Sequence, residues 1–170
     1  MTMKKILAAL IIGSFLIAGC VKSNNKCSYS DSKVIAPAAE VDSLNTLLVD
    51  SGIVATQNSA GFFYTIDNPG SGVSIANLCS TISVTYDGSI FKGKTFDSTA
   101  AGNTATFQLG QVIAGWQKGL PLVSKGGHIT LYIPPSLAYG ANAVTDNGGN
   151  VIIPANSYLV FHVGLADVLQ

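Results

Sequence analysis

The spacing of apolar residues changes character several times along the chain. Ile6 to Gly19 is an uncharged apolar run, and the following stretch, Val21 to Lys33, is rich in Ser, Asn and Lys. From Pro37 the apolar positions Val41, Leu44, Leu47 and Leu48 recur at helical spacing, with proline where a first turn tolerates it and Ser51-Gly52 as a stop. After Gly61 the period becomes two. Phe62, Tyr64 and Ile66 alternate with Phe63 and Thr65, and Asn68 to Gly72 supplies a turn. Ile82, Val84 and Tyr86 mark the next strand, Phe107 and Leu109 a short one, and Ile129, Leu131 and Ile133 another. Leu159, Phe161, Val163 and Leu165 mark the last. One segment among the strands is helical: Val112, Ile113, Trp116 and Leu120 share an apolar face, closed by Pro121. The pattern predicts an α+β fold, an antiparallel sheet with one face packed on a short helix. The helix after Pro37 either packs on that domain or serves as a spacer, and its sequence allows both.

Composition narrows the function classes. The 170 residues are 48% hydrophobic and 11% charged, which places the chain among folded domains with a core of useful size. Nine basic residues, all lysine, balance nine acids. A nucleic-acid binder would show a basic stripe with arginine for bidentate phosphate contacts, so no nucleic-acid partner is expected.

The N-terminus carries an export pattern. Lys4 and Lys5 precede the apolar run, which is shorter than the roughly 20 residues a membrane span needs and ends in small residues, as cleaved signals do. Ile17-Ala18-Gly19-Cys20 resembles the bacterial lipobox, in which small residues flank the cut and the thiol receives lipid. Cleavage before Cys20 would leave seven lysines against nine acids, a formal charge of −2. Two acyl chains are enough for stable anchoring. Cys27 and Cys79 would then share an oxidising compartment, where a disulfide is expected, with a pair of free thiols as the alternative.

Four short patterns follow one another in the second half of the chain. They are Thr85-Tyr86-Asp87-Gly88, Gly93 to Ser98 (Gly-Lys-Thr-Phe-Asp-Ser), Val112-Ile113-Ala114-Gly115-Trp116, and Ile133-Pro134-Pro135-Ser136-Leu137-Ala138-Tyr139-Gly140. Val151-Ile152-Ile153-Pro154 and Leu159-Val160-Phe161 close the set. In this order, residues 61–170 resemble the FKBP-type peptidyl-prolyl isomerases, in the version found in bacterial exported lipoproteins. The resemblance implies a half-barrel sheet around the short helix and a pocket between them. That pocket would be lined by Tyr86, Phe96, Asp97, Val112, Ile113, Trp116, Tyr139, Ile152, Ile153 and Phe161. It further implies Trp116 as the pocket floor, with the Tyr139 hydroxyl and the Ile113 backbone N–H as donors to ligand carbonyls. Asp97, Tyr139 and Trp116 are the expected catalytic residues. Ala105 stands where better-known family members carry an aromatic residue, and the segment from Ala141 to Val151 is longer than usual and is expected to overhang the pocket. The expected organisation is a lipoprotein signal at 1–19, a flexible tether at 20–35, a helix and linker at 36–60, and the isomerase domain at 61–170.

The residues themselves support binding rather than attack. They supply rings, aliphatic branches and one acid, and no nucleophile–base pair. Rotation about an X–Pro bond changes no covalent bond, so no cofactor and no metal is expected. His128 and His162 are the only histidines, too few for a zinc site with the cysteines otherwise occupied. Taken singly, Trp116, Tyr86, Phe96 and Phe161 would default to core packing and Asp97 to a turn. As a set, through the resemblance, they imply an isomerase acting on proline-containing polypeptides and open to macrolide inhibitors such as tacrolimus and rapamycin; the N-terminal pattern adds the expectation of a lipid anchor in the bacterial envelope, at the outer membrane facing the periplasm. A non-catalytic chaperone or binding module on the same fold is the alternative.

Overall fold

The computed structural model describes residues 27–169. The expected signal segment and Cys20 lie outside the described residues. Among the described residues, nine strands and two α-helices follow one another as α1 (Ala38–Val49), β1 (Thr56–Gln57), β2 (Phe63–Asn68), β3 (Thr81–Ile90), β4 (Thr95–Ser98), β5 (Ala105–Gln108), α2 (Ala114–Gly119), β6 (His128–Ile133), β7 (Val144–Thr145), β8 (Val151–Ile153) and β9 (Leu159–Leu169). Short 3₁₀ turns at Leu109–Gln111 and Leu120–Leu122 flank α2, so the helical segment read from Val112 to Leu120 is a brief α-helix between two tighter turns. Among the described residues no helix is long and apolar enough to cross a membrane.

Seven strands form one antiparallel sheet in the order β1-β2-β6-β9-β3-β4, with β5 also paired to β3. The long strands β3 and β9 run together from Thr81↔Leu169 to Ile90↔Leu159 and form its spine. Alternation decides which side chains face inward. Ile82 and Val84, Ile129, Leu131 and Ile133, and Leu159, Phe161, Val163 and Leu165 are all buried in one core with Trp116 and Leu120. Helix α2 reaches this face closely because it presents glycine. A Cβ on Gly115 would lie 2.6 Å from Ile133 Cδ1, and one on Gly119 would lie 2.6 Å from Leu131 Cδ2.

The opposite face is covered too, which extends the one-sided packing expected from the sequence. Of the predicted stripe on α1, Leu44 and Leu48 are fully buried against Phe63 and Tyr132, with Val41 beside them, so the helix packs on the sheet rather than spacing it. Helix α1 starts after Pro37, and Gly52 in the left-handed region (φ 67°) follows its end.

The expected tether is not free over its described part. Cys27 and Cys79 form a disulfide. Tyr29 lies on Gly110, where an added Cβ would come within 2.3 Å of the ring, and its hydroxyl donates to Gln108 Oε1 (3.1 Å) and accepts from Gln111 Nε2 (2.9 Å). Lys118 Nζ donates to the Ser32 carbonyl, and the Ala36 N–H to Ala60 O (2.9 Å). The composition of this strap is polar because its partners are side-chain amides and backbone carbonyls rather than an apolar core. The disulfide closes a separation of 52 residues. In the chain-entropy model a loop of that size is worth about 4 kcal/mol. Replacing Cys27 and Cys79 by serine should therefore lower the unfolding free energy by a few kcal/mol at most, read from urea midpoints. An unchanged midpoint would show that the strap contributes nothing.

Candidate active site

Between α2 and the inner face of the sheet lies a cavity of ≈ 270 Å³, lined by Tyr86, Phe96, Asp97, Phe107, Gln111, Val112, Ile113, Trp116, Tyr139 and Phe161. Six separate parts of the chain supply these residues. Strand β3 brings Tyr86, β4 Phe96 and Asp97, β5 Phe107, the α2 approach Gln111 to Trp116, the turn after β6 Tyr139, and β9 Phe161.

Trp116 is the hub. Its indole is buried and meets three rings edge-on: Phe161 at 5.2 Å and 82°, Tyr86 at 5.4 Å and 85°, and Phe107 at 5.9 Å and 90° between centroids and planes. Phe96 stands edge-on to Phe161 at 5.7 Å. Such T-shaped pairs place positive ring edges on negative faces and fix ring orientation as well as burying area. Gly88 makes room for them, since a Cβ there would fall 2.7 Å from Phe161 and 3.0 Å from Phe96.

The rim is polar and specific. The Tyr86 hydroxyl donates to Asp97 Oδ2 at 2.5 Å. Burial, followed by this hydrogen bond and the Asp97 charge, pushes the Tyr86 phenol above its ordinary range. Burial and Asp97 raise Tyr139 in the same way. Both hydroxyls therefore keep their protons at neutral and mildly alkaline pH and stay available as donors. Among the described residues the Tyr139 hydroxyl, the Ile113 N–H and the buried Trp116 Nε1–H have no hydrogen-bond partner. Unpartnered donors around an apolar cavity suit a ligand that brings its own carbonyl oxygens and an apolar ring.

Eight of the ten residues expected in a pocket line this one. Ile152 and Ile153 do not. Strand β8 pairs with β7 in a separate two-stranded hairpin, which turns Ile153 into the main core and packs Ile152 against it. The long segment expected to overhang the pocket is that hairpin, and none of its residues lines the cavity. Its tip is tied by Asp146, whose carboxylate accepts from the Gly148 and Asn150 N–H groups (2.8 and 2.9 Å) and from Asn150 Nδ2 (3.0 Å). These bonds hold the Asp146 carboxyl below its usual range. Two lining residues were not anticipated, Phe107 and Gln111. Phe107 lies two residues beyond Ala105, on the same face of β5, and brings a ring to the wall that Ala105 leaves open. That spacing was available in the sequence. Gln111 adjoins Val112-Ile113, and no pattern singles it out.

A second hollow of the same volume lies on the outer face of the sheet, among Asp67, Thr85, Asp87, His128, Thr130 and His162. Thr130 Oγ1 and His162 Nδ1 are 3.0 Å apart there. No group of three or more candidate metal ligands is found among the described residues.

The comparisons with known proteins agree with this geometry. The family model for FKBP-type peptidyl-prolyl cis-trans isomerase matches residues 73–166. The chain is similar to the FKBP-type peptidyl-prolyl cis-trans isomerase FkpA of Buchnera aphidicola subsp. Schizaphis graminum, 42% identical over 114 residues, covering 66% of this chain and 43% of that protein. It is also similar to the crystal structure of FkpA from Escherichia coli, with a TM-score of 0.64, 36% identity, and coverage of 78% of this chain and 59% of that one. A crystal structure of a peptidyl-prolyl cis-trans isomerase from Pseudomonas syringae pv. tomato matches with a TM-score of 0.64 and 28% identity, over 79% of this chain and 98% of that one. The chain spans less than half the length of the curated relatives it matches.

The raised phenols make a stability prediction. A tyrosine whose folded pKa exceeds its unfolded value contributes stability that is complete below the unfolded pKa of 10.0 and is lost as pH rises toward the folded one. Wild-type stability should fall between pH 10 and 11, and Tyr86→Phe should make the fall shallower by at most about 1.4 kcal/mol per pH unit, reduced by solvent screening at this open rim. Urea midpoints at pH 9, 10 and 11 measure it, and identical slopes would contradict the assigned environment.

Proposed function

This chain belongs to the FKBP-type peptidyl-prolyl cis-trans isomerase family, and from that premise we propose that it accelerates X–Pro rotation in exported polypeptides. The observation that carries the proposal is the single cavity in which a buried tryptophan, four edge-packed rings and free N–H and O–H donors converge. Proline is the side chain that such a cavity fits: it is apolar and compact, and it lacks the N–H that would otherwise need a partner in the wall.

The barrier to be lowered is amide resonance, about 18–20 kcal/mol for peptide bonds. A planar amide is strongly dipolar, and twisting it removes conjugation and much of that dipole. Water stabilises the planar form more than the twisted one. Transfer of the bond onto Trp116, Phe96, Phe161, Phe107 and Val112 removes that preference. A thousandfold acceleration needs about 4 kcal/mol of such differential stabilisation. The Tyr139 hydroxyl and the Ile113 N–H hold substrate carbonyls on the two sides of the ring, so that rotation is confined to the bond inside. Asp97 commits one oxygen to Tyr86 and keeps the other at the rim, where it fixes the Tyr86 ring and accepts from the substrate backbone. Proline-containing chains are the substrates, and tacrolimus and rapamycin, which carry apolar rings flanked by carbonyls, are the matching inhibitors.

The Cys27–Cys79 disulfide supports an oxidising compartment, and the export pattern before it supports the bacterial envelope as the site of action. The lipobox supports a diacylglyceryl anchor at Cys20, which would hold the domain on the outer membrane facing the periplasm. Cys20→Ser should then move the protein from the membrane to the soluble fraction of lysed cells, and continued sedimentation with membranes would refute the anchor.

In a protease-coupled assay on a short X–Pro peptide, Asp97→Ala and Tyr139→Phe should each lower kcat/KM about tenfold, a loss of about 1.4 kcal/mol, with far-UV circular dichroism unchanged. Trp116→Ala should abolish activity and also destabilise the fold by about 3–5 kcal/mol. Full activity in both polar variants would remove their roles. A wild-type chain that binds unfolded polypeptides without accelerating rotation would be a chaperone instead.

A further inference from the structure

The turn that carries Tyr139 begins with Pro134 and Pro135, neither of which has an N–H. Its 3₁₀ segment, Pro135–Leu137, therefore has the Ser136 N–H as its first donor, and such first-turn donors find no partner inside their own helix. Three of the later donors are satisfied locally. Leu137 N–H bonds Pro134 O at 3.1 Å, and the Ala138 and Gly140 N–H groups both bond Pro135 O at 2.9 Å. The Ser136 N–H instead donates to Glu40 Oε2 at 2.9 Å, a contact between residues 96 apart in sequence. On the far side of Tyr139, the Gly140 carbonyl accepts from the Asn156 N–H at 2.8 Å. The tyrosine thus stands between two tied points.

Glu40 lies in the first turn of α1, four and eight residues before Leu44 and Leu48, so it heads the stripe by which that helix docks on the sheet. Its carboxylate is partly buried, and its place in the first turn suits the positive end of the helix. The family model begins at residue 73, well after this helix.

We propose that Glu40 is a positioning residue for the active site: from the N-terminal helix it fixes the turn from which Tyr139 reaches the cavity. The inference rests on the reading of that cavity as a proline site. It makes α1 part of the working site rather than an appended segment. Loss of the acceptor leaves the Ser136 N–H without a partner and lets the turn shift. A bond-length donor such as the Tyr139 hydroxyl is sensitive to shifts of about 1 Å.

The test uses the full chain with Glu40→Ala, Glu40→Gln and Glu40→Asp, each also in the Tyr139→Phe background. Two readouts are taken: kcat/KM on an X–Pro peptide, and NMR of the Ser136–Gly140 amides and the Tyr139 ring, which needs no turnover. Glu40→Ala should lower kcat/KM about fivefold and speed Ser136 amide exchange about tenfold or more. Glu40→Gln, whose amide oxygen still accepts, should restore most of both. In the Tyr139→Phe background Glu40→Ala should cost nothing further, because the two act as one unit. Glu40→Asp keeps the charge but is one methylene too short, so it should behave as Glu40→Ala and stands in for it should that variant fail to fold. Equal losses in both backgrounds, or a lower Tm with unchanged activity, would reduce Glu40 to a fastener of the helix and overturn the proposal. A wild type without isomerase activity would refute the proline-site reading by itself. In that event, unshifted Tyr139 ring resonances in Glu40→Ala would overturn the positioning role, and shifted ones would uphold it.

Discussion

The close approach of α2 to β6 decides where every other part of the cavity can stand. Two glycines on one side of a six-residue helix allow it, with Ile133 and Leu131 occupying the space their side chains would need. A side chain at either position would force the helix outward, and overpacking of this kind typically costs about 1–3 kcal/mol. The greater loss would be geometric. Trp116 lies between Gly115 and Gly119 on the same helix, and the edge-on contacts with Tyr86, Phe107 and Phe161 depend on where its indole is held. The floor of the cavity is thus set by backbone proximity, and the rings follow from it.

Much of this could be read from the amino-acid order, for an identifiable reason. Strands β3, β6 and β9 each bury an alternate row of apolar residues in the inner core (Ile82 and Val84; Ile129, Leu131 and Ile133; Leu159, Phe161, Val163 and Leu165), and α2 is a single apolar face between them. Of the cavity residues, Tyr86, Phe161 and Trp116 project from those same elements. Readings failed where pairing partners rather than periodicity decide burial. Ile152 and Ile153 look like pocket residues until β8 is seen to pair with β7 alone, which sends Ile153 into the core. Strand β4 offers only four residues, mostly exposed, and carries no period to recognise, yet it delivers Phe96 and Asp97. Phe107 lies on a strand of only four residues, where an alternating ring gives the same signal as ordinary core packing.

The N-terminal segment was the least readable part. Its contacts join Tyr29 to Gln108 and Gln111, Lys118 to Ser32, and Glu40 to Ser136, across 79 to 96 residues. They use hydrogen bonds from polar side chains that, in sequence, look like those of a solvated linker. Composition reports how much apolar surface a segment has to bury, and this segment buries little outside Leu44 and Leu48. A strap held by polar contacts and one disulfide therefore has the composition of a tether.

These observations connect the two ends of the site. On one side the strap places Tyr29 over Gly110, next to Gln111 and the Val112-Ile113 rim. On the other, α1 reaches the Tyr139 turn through Glu40. In the proposed proline site, the segments that carry the Ile113 N–H and the Tyr139 hydroxyl are each contacted by residues that precede the sheet, Tyr29 at Gly110 and Gln111 and Glu40 at Ser136. A rotating amide is held only as firmly as its flanking carbonyls are. Donors on a 3₁₀ turn and on a loop before a helix would otherwise be among the less constrained parts of the molecule, because neither belongs to the strand ladder. The proposed chemistry asks for no nucleophile, so rigidity of these donors would be the main demand on the rest of the chain, and the contacts of the segment before the sheet suit that demand.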